Sequence, residues 1–389
     1  MEWTTPTFLQ LVILGLTALS TAYFLFFILF AKIRSKEISR ILHPKNHRIR
    51  VLIPARAEHT HIEESAIRAM QQSYDSKDFD VVVIADGLPG TTLLELKSTK
   101  ASILQLDMEE KTDGHALREA LKYLNPKESD ITVIVDPDHV LAFDFLEKVN
   151  NAYSKGARVL QGHRTPKQKT SLRNLLIAAN EEINHSIFRQ GPKRLGLCPS
   201  LLGTGMAFDT QLLHACCPLI DGNKPIAQQL DAQLQLRGVR PSYLPGAMVF
   251  MERTRLRDLF KFSLSPVKAL DRIALTIDTT LKAGLSNLLI KSLIPSKLFL
   301  MVVNLLAMVY FQQPYFIISI GLLGFVLLAG IPGTAYKNQL LALDAGLPRF
   351  LHLMFKYTGG ETIARKNILF KNLPVDINHE DRHRSTASL

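Results

Sequence analysis

The chain has 389 residues, 47% of them apolar and 21% charged, which is enough sequence for two or three domains with a sizeable core. That composition excludes an intrinsically disordered chain. Three cysteines (Cys198, Cys216, Cys217) without a C-x-x-C pair exclude a disulfide framework and argue against a structural zinc or dithiol site. A formal net charge of +11 and a mean hydropathy of +0.10 point to a membrane surface or a phosphate-rich ligand rather than to a secreted protein.

The first element is an uncharged run of 24 residues, 8–31 (FLQLVILGLTALSTAYFLFFILFA). It can cross a hydrocarbon core of about 30 Å and is longer than the apolar core of a secretory signal, so an uncleaved anchor is expected. A cleaved signal is the alternative. Lys32, Arg34, Lys36 and Arg40 follow the run against one acid, Glu37, while only Glu2 precedes it. The positive-inside rule then puts the N-terminus outside and the following chain in the cytoplasm, an arrangement suited to a bacterial inner membrane.

Residues 48–260 read as a cytoplasmic α/β domain. Strands are expected at 50–55, 81–86, 101–107, 131–136 and 157–163, with helices at 62–72, 115–124 and 143–153. Continuous β-branched runs such as VVVIAD suit strands buried on both faces, and strand–helix alternation implies a parallel-rich sheet flanked by helices. Ligands of such sheets sit beyond the carboxyl ends of the strands. The residues there are Pro54, Arg56 and Glu58, then Asp86, then Asp136 and Asp138.

The sharpest local signal is Asp136-Pro137-Asp138-His139 after an apolar strand. Two carboxylates one residue apart suit Mg2+ or Mn2+, hard cations that take oxygen ligands and are usually completed by a substrate phosphate. His139 is a candidate third contact. A plain turn is the alternative, since Asp and Pro favour turns. His59, His61, His163 and His185 lack metal-binding spacing. Cys216-Cys217 reads as a buried small apolar pair. No P-loop, G-x-S-x-G elbow or nucleic-acid signature is present.

Further along, basic residues cluster between Arg253 and Arg272, suited to a diphosphate or to lipid headgroups. Residues 261–297 are expected to be interfacial helices, with a core helix at 271–296 as the alternative. A second uncharged run spans 298–336, bounded by Lys297 and Lys337. It fits two transmembrane helices broken at Gln312-Gln313-Pro314, the alternative being a buried hairpin. Residues 337–389 form a cytoplasmic tail with a polar end.

Taken in order, these residues resemble a family 2 glycosyltransferase of the GT-A fold, in the membrane-bound branch that includes cellulose and hyaluronan synthases. VLIPARAE (51–58) looks like that family's opening strand and nucleotide-contacting loop, with Ala57 in place of the usual Asn. VVVIADG (81–87) places the family's uracil-contacting Asp on Asp86. GHALREAL (114–121) looks like its G-x-A-L-x-x-A-L segment, with Gly114 at its head and Lys111 the basic residue before it. Asp136 and Asp138 match its metal-binding D-x-D. LLGTGMAF (201–208) resembles the loop lining the acceptor side, at Gly203, Thr204 and Gly205, and GVRPSYLPGA (238–247) the stretch after its acceptor-site helix.

Two departures stand out. The family's Glu-Asp pair, whose Asp is the general base, falls on Ile226 and Ala227, leaving Asp221 and Asp231 as candidate bases. The family's Q-x-x-R-W cannot be complete, because the single tryptophan is Trp3. The resemblance implies an inverting, Mg2+- or Mn2+-dependent enzyme. It would move a sugar from a nucleotide-diphosphate sugar, a UDP-sugar foremost, to a lipid or glycan hydroxyl at the cytoplasmic face. The departures raise an alternative, a non-catalytic partner or sugar-nucleotide-binding subunit of a polysaccharide synthesis complex. A membrane-anchored nucleotidyltransferase is a third reading.

Overall fold

The structure, a computed structural model, describes residues 5–33, 45–108, 112–167, 172–221, 225–252 and 294–331. Lys111, the basic cluster of 253–272, most of the expected interfacial segment and the tail of 337–389 lie outside the described residues.

Helix α1 spans Thr5–Lys32, about 42 Å at 1.5 Å per residue. In its middle, the hydroxyls of Thr17, Ser20 and Thr21 donate to carbonyls one turn back.

After α1 the chain alternates strands and helices: β1 (Ile49–Arg56), α2 (Ile62–Met70), β2 (Phe79–Asp86), α3 (Gly90–Lys97), β3 (Ser102–Leu106), α4 (Asp113–Tyr123) and β4 (Ile131–Ile134). β5 (His139–Leu141), α5 (Phe145–Tyr153), β6 (Val159–Pro166) and α6 (Leu172–His185) follow. A π-helical turn at Ser186–Gln190 then leads into the short α7 (Gly191–Arg194). The domain closes with β7 (Met206–Asp209), α8 (Thr210–Cys216), α9 (Ile226–Leu236) and β8 (Ser242–Met251).

The described strands form one mixed sheet in the order β3-β2-β1-β4-β7-β6-β8-β5. Only β7 and β5 run against the others. This is the parallel-rich α/β sheet expected. β5, β7 and β8 are strands that the expectation lacked, and the strand expected at 157–163 continues to Pro166. Alternation explains why both faces are buried. Val51, Ile53, Val81 and Val83 pack against α2, α3 and α5, while Leu52, Val82 and Ile84 pack against α4, α8 and α9. Cys216 and Cys217 are buried on the second face, as expected.

The apolar run at the C-terminal side forms α10 (Lys297–Phe311) and α11 (Tyr315–Ala329), broken where expected at Gln312–Pro314. Each has 15 residues, about 22 Å and so shorter than a hydrocarbon core. Among the described residues α1 alone is long and apolar enough to span one. Phe24, Phe27 and Ile28 of α1 pack with Leu300, Leu323 and Val326 of the hairpin and with Ile187 and Phe188 of the π-helical turn. Asn304 donates to Thr17 at 2.8 Å, and Tyr315 to Gln10 at 2.5 Å. Gly191 lies so close to α1 that a Cβ there would meet the Phe27 carbonyl at 2.5 Å.

Candidate functional site

The parallel strands deliver their last residues to one edge. Arg56 ends β1 in register with Asp86, the last residue of β2. β4 ends beside Leu52 and hands the chain to Asp136 and Asp138. The N-terminus of α4 meets the same edge, where the Thr112 side chain accepts from the His115 N–H and Asp113 occupies the first turn. Arg56 binds across this gap: its Nε donates to Asp113 at 3.0 Å and its Nη2 lies 2.8 Å from Glu58. Gly114 is buried in the first turn of the same helix. Pro54 is not at the edge. It is buried within β1 opposite Ile84, because β1 runs two residues further, to Arg56.

Asp86 is 1% exposed. Its Oδ1 accepts from the Met108 N–H at 3.2 Å, while its Oδ2 is buried with no partner among the described residues. Such an acceptor is costly to leave unmade.

The Asp136 side chain is 43% exposed, with its Oδ2 3.6 Å from His139 Nδ1. Its backbone N–H donates to Thr204 Oγ1 at 3.1 Å. Asp138 follows at the same strand end, and its carbonyl accepts from the Glu252 N–H. Among the described residues no three His, Cys, Asp or Glu side chains converge to hold a metal unaided. Two carboxylates that leave the remaining positions to water and phosphate fit Mg2+ or Mn2+. His59 plays another part. Its Nδ1 accepts from the Arg56 N–H at 3.1 Å, so the ring proton sits on Nε2, and burial lowers its pKa despite nearby Asp113 and Asp138. It is a neutral donor at this edge rather than a ligand.

The loop expected to line the acceptor side runs opposite. Thr204 is fully buried, and Gly203 and Gly205 have φ of +100° and +60°, which only glycine adopts freely. Of the two candidate bases, Asp231 is brought to this loop: both its oxygens accept from the Leu201 N–H, at 3.3 and 3.2 Å. Asp221 is held elsewhere, its backbone bonded twice to Gln229 of α9 beside the Ile220 carbonyl that Arg118 of α4 binds.

Sequence reading missed a buried polar cluster between β6, β8 and α6. His163 and His185 are stacked with centroids 3.9 Å apart. The Tyr243 hydroxyl lies 2.7 and 3.0 Å from their Nδ1 atoms. His163 Nε2 is 3.0 Å from Glu182, and Arg164 forks onto Glu181. His185 Nε2 donates to the Arg164 carbonyl at 2.9 Å, and Arg189 lies fully buried next to it. The signal available was weak: a strand that opens on Val159-Leu160 and turns polar at Gln161, His163 and Arg164, and adjacent Glu181 and Glu182 in an amphipathic helix.

Burial, with His163 and Arg189 nearby, holds the His185 imidazole well below its usual range. The unfolded chain therefore takes up a proton that the native chain refuses. Stability is complete above the unfolded value of about 6.5 and falls as pH drops below it, by up to about 1.4 kcal/mol per pH unit. The detergent-solubilised protein is expected to lose melting temperature from pH 7 to pH 5, and His185→Asn to lose less. An equal loss in both would refute this.

A cavity of about 400 Å³ bordered by Arg118, Lys122, His214 and Cys217 opens along α4 and shares no residue with the strand edge.

No family model matches the chain, and no curated protein matches it. Among solved structures it is similar to a mannosyltransferase from Pyrobaculum calidifontis in complex with GDP-Man and Mn2+ (16% identity, TM-score 0.47, covering 89% of this chain and 90% of that one). It is also similar to TarS of S. aureus (16%, 0.40, covering 58% and 40%). A third is glucosyl-3-phosphoglycerate synthase from Mycobacterium tuberculosis in complex with Mn2+, UDP and phosphoglyceric acid (18%, 0.35, covering 60% and 78%).

Proposed function

We propose that this chain is a membrane-bound inverting glycosyltransferase that moves a sugar from a nucleotide-diphosphate sugar, a UDP-sugar foremost, to a lipid or glycan hydroxyl. The observation that carries the reading is the strand edge. A buried acceptor atom without a partner among the described residues, Asp86 Oδ2, and two carboxylates on a strand tail, Asp136 and Asp138, share it with a loop fixed by a hydrogen bond from Asp136 itself. In this reading Asp86 accepts an N–H of the base. Arg56, Glu58 and Gly114 border the donor, and His59 offers its Nε2–H to the acidic end. Asp136 and Asp138 would hold Mg2+ or Mn2+, which when bound neutralises the diphosphate leaving group. Gly203 faces the acceptor, backed by the buried Thr204 and Gly205.

The apolar helices support the membrane part of the proposal. They turn polar atoms inward at Thr17 and Asn304 and leave Leu19, Leu29, Leu306, Ile318 and Phe325 exposed, an exterior suited to lipid. Lys32 stands at the end of α1, while Lys297 at the start of α10 is turned inward onto Asn184. With the positive-inside rule this favours a multi-pass protein of the cytoplasmic membrane, its α/β domain inside.

A second reading, a sugar-nucleotide-binding subunit of a polysaccharide synthesis complex, is favoured by the start of α9. It carries Ile226 and Ala227, and Asp231 is bonded to Leu201. One experiment separates the two. Membranes containing the protein are incubated with UDP- and GDP-sugars and Mn2+, and both nucleoside diphosphate release and donor binding are measured. Metal-dependent release supports the enzyme, binding without release supports the subunit, and neither would refute both.

A further inference from the structure

The loop of residues 200–205 is gripped by three elements through three consecutive backbone amides. The Ser200 N–H donates to the Phe188 carbonyl in the π-helical turn at 3.2 Å. The Leu201 N–H donates to Asp231 of α9 at 3.2 Å, and the Leu202 N–H to Gln161 Oε1 of β6 at 2.7 Å. Gln161 then returns on the far side of Gly203, its Nε2 donating to the Thr204 carbonyl at 2.9 Å. One fully buried amide side chain thus takes the place of a peptide unit, accepting on one side of a left-handed glycine and donating on the other. The next residue repeats the grip through its backbone, the Gly162 N–H donating to the Gly205 carbonyl at 2.9 Å. The residue clamped this way, Thr204, accepts the backbone N–H of Asp136.

Resting on the proposed function, we infer that Gln161 is a positioning residue of the donor site. It fixes Thr204, Thr204 fixes the backbone of Asp136, and the first metal-facing carboxylate is thereby set by an amide that touches no ligand. Asp231 holds the same loop from the opposite flank, which makes it an anchor rather than the base. Partners that orient metal-facing ligands typically change metal affinity by about 10–100-fold when removed.

The test uses the full chain in detergent, titrated with Mn2+ alone and with UDP, with free Mn2+ read by electron paramagnetic resonance. Gln161→Met keeps the length and removes both grips. Thr204→Val removes only the acceptor for Asp136, and Thr204→Ser keeps it. Gln161→Met and Thr204→Val are each expected to weaken Mn2+ binding about tenfold, with Thr204→Ser near wild type. The double variant Gln161→Met/Thr204→Val should be no weaker than the worse single one, because both act through one contact. Wild-type Mn2+ affinity in both single variants, or fully additive losses, would overturn the inference while leaving the proposed function standing. A wild-type chain that binds no Mn2+ even with UDP would overturn both. If Gln161→Met does not fold, the Thr204→Val and Thr204→Ser pair decides alone.

Discussion

Asp136→Ala is expected to lower metal-dependent release of nucleoside diphosphate about 10³-fold, close to 4 kcal/mol of transition-state stabilisation, without lowering the melting temperature. The two halves of that result have separate causes. The Asp136 side chain is 43% exposed, with its Oδ2 3.6 Å from His139, and its bond to Thr204 is made by the backbone N–H, which alanine keeps. Exposed substitutions away from core and caps stay within about 0.5 kcal/mol. In the proposed reaction, by contrast, the leaving group's countercharge would depend on this carboxylate, and no set of three metal-capable side chains among the described residues could take over. Release is measured in membranes with matched protein levels. Undiminished Mn2+-dependent release from the variant would remove the metal assignment.

Asp86→Asn is expected to raise KM for the nucleotide sugar about 10–100-fold while leaving the fold as stable as before or more so. Asn keeps the acceptor for the Met108 N–H, which Asp86 Oδ1 bonds at 3.2 Å. It replaces a carboxylate oxygen that is buried without a partner among the described residues by a neutral amide, which loses less on burial. A ligand N–H that needs an acceptor there would meet a donor instead, the mismatch that sites use to reject a wrong partner. Opposite signs for affinity and stability would mark Asp86 as held for ligand rather than for fold. A fall in melting temperature with unchanged KM would assign it to the fold. Both are read from one preparation, by donor titration and thermal melting.

The parallel half of the sheet was legible because its strands are uninterrupted β-branched runs, buried on both sides, and the same runs point to Arg56, Asp86, Asp136 and Asp138 at their ends. The mixed half was not. β7 begins directly after Gly203-Thr204-Gly205, residues that read as loop. β8 contains Pro245 and Gly246, and its pairing with β6 slips register after Leu244, opposite Gly162 and His163, so no clean alternation survives in its sequence. Pro54 illustrates a small boundary shift: the strand expected at 50–55 runs from Ile49 to Arg56 and buries what the sequence placed at its mouth. The His163, Glu182, His185 and Tyr243 cluster was illegible for a different reason. Its members come from β6, α6 and β8, and only the packing of α6 across the sheet brings them together. Asp231 was found as a carboxylate near the right helix, but its bond to Leu201 depends on a loop path that spacing does not encode.

The π-helical turn at Ser186–Gln190 has a consequence best put as a matter of phase. An α-helix turns its side chains by about 100° per residue, and a turn closed by i→i+5 rather than i→i+4 bonds holds one residue more than that rhythm allows. The segment from α6 through α7 therefore keeps two clocks. Before the turn, Glu181, Glu182 and His185 face the sheet; after it, Gly191 faces the Phe27 carbonyl. Without the extra residue the second clock would run about 100° ahead, and a bulkier neighbour would be turned toward a contact that has room only for hydrogen. One residue of surplus lets a single rod of chain present a charged face to the α/β domain and a bare one to the apolar helices.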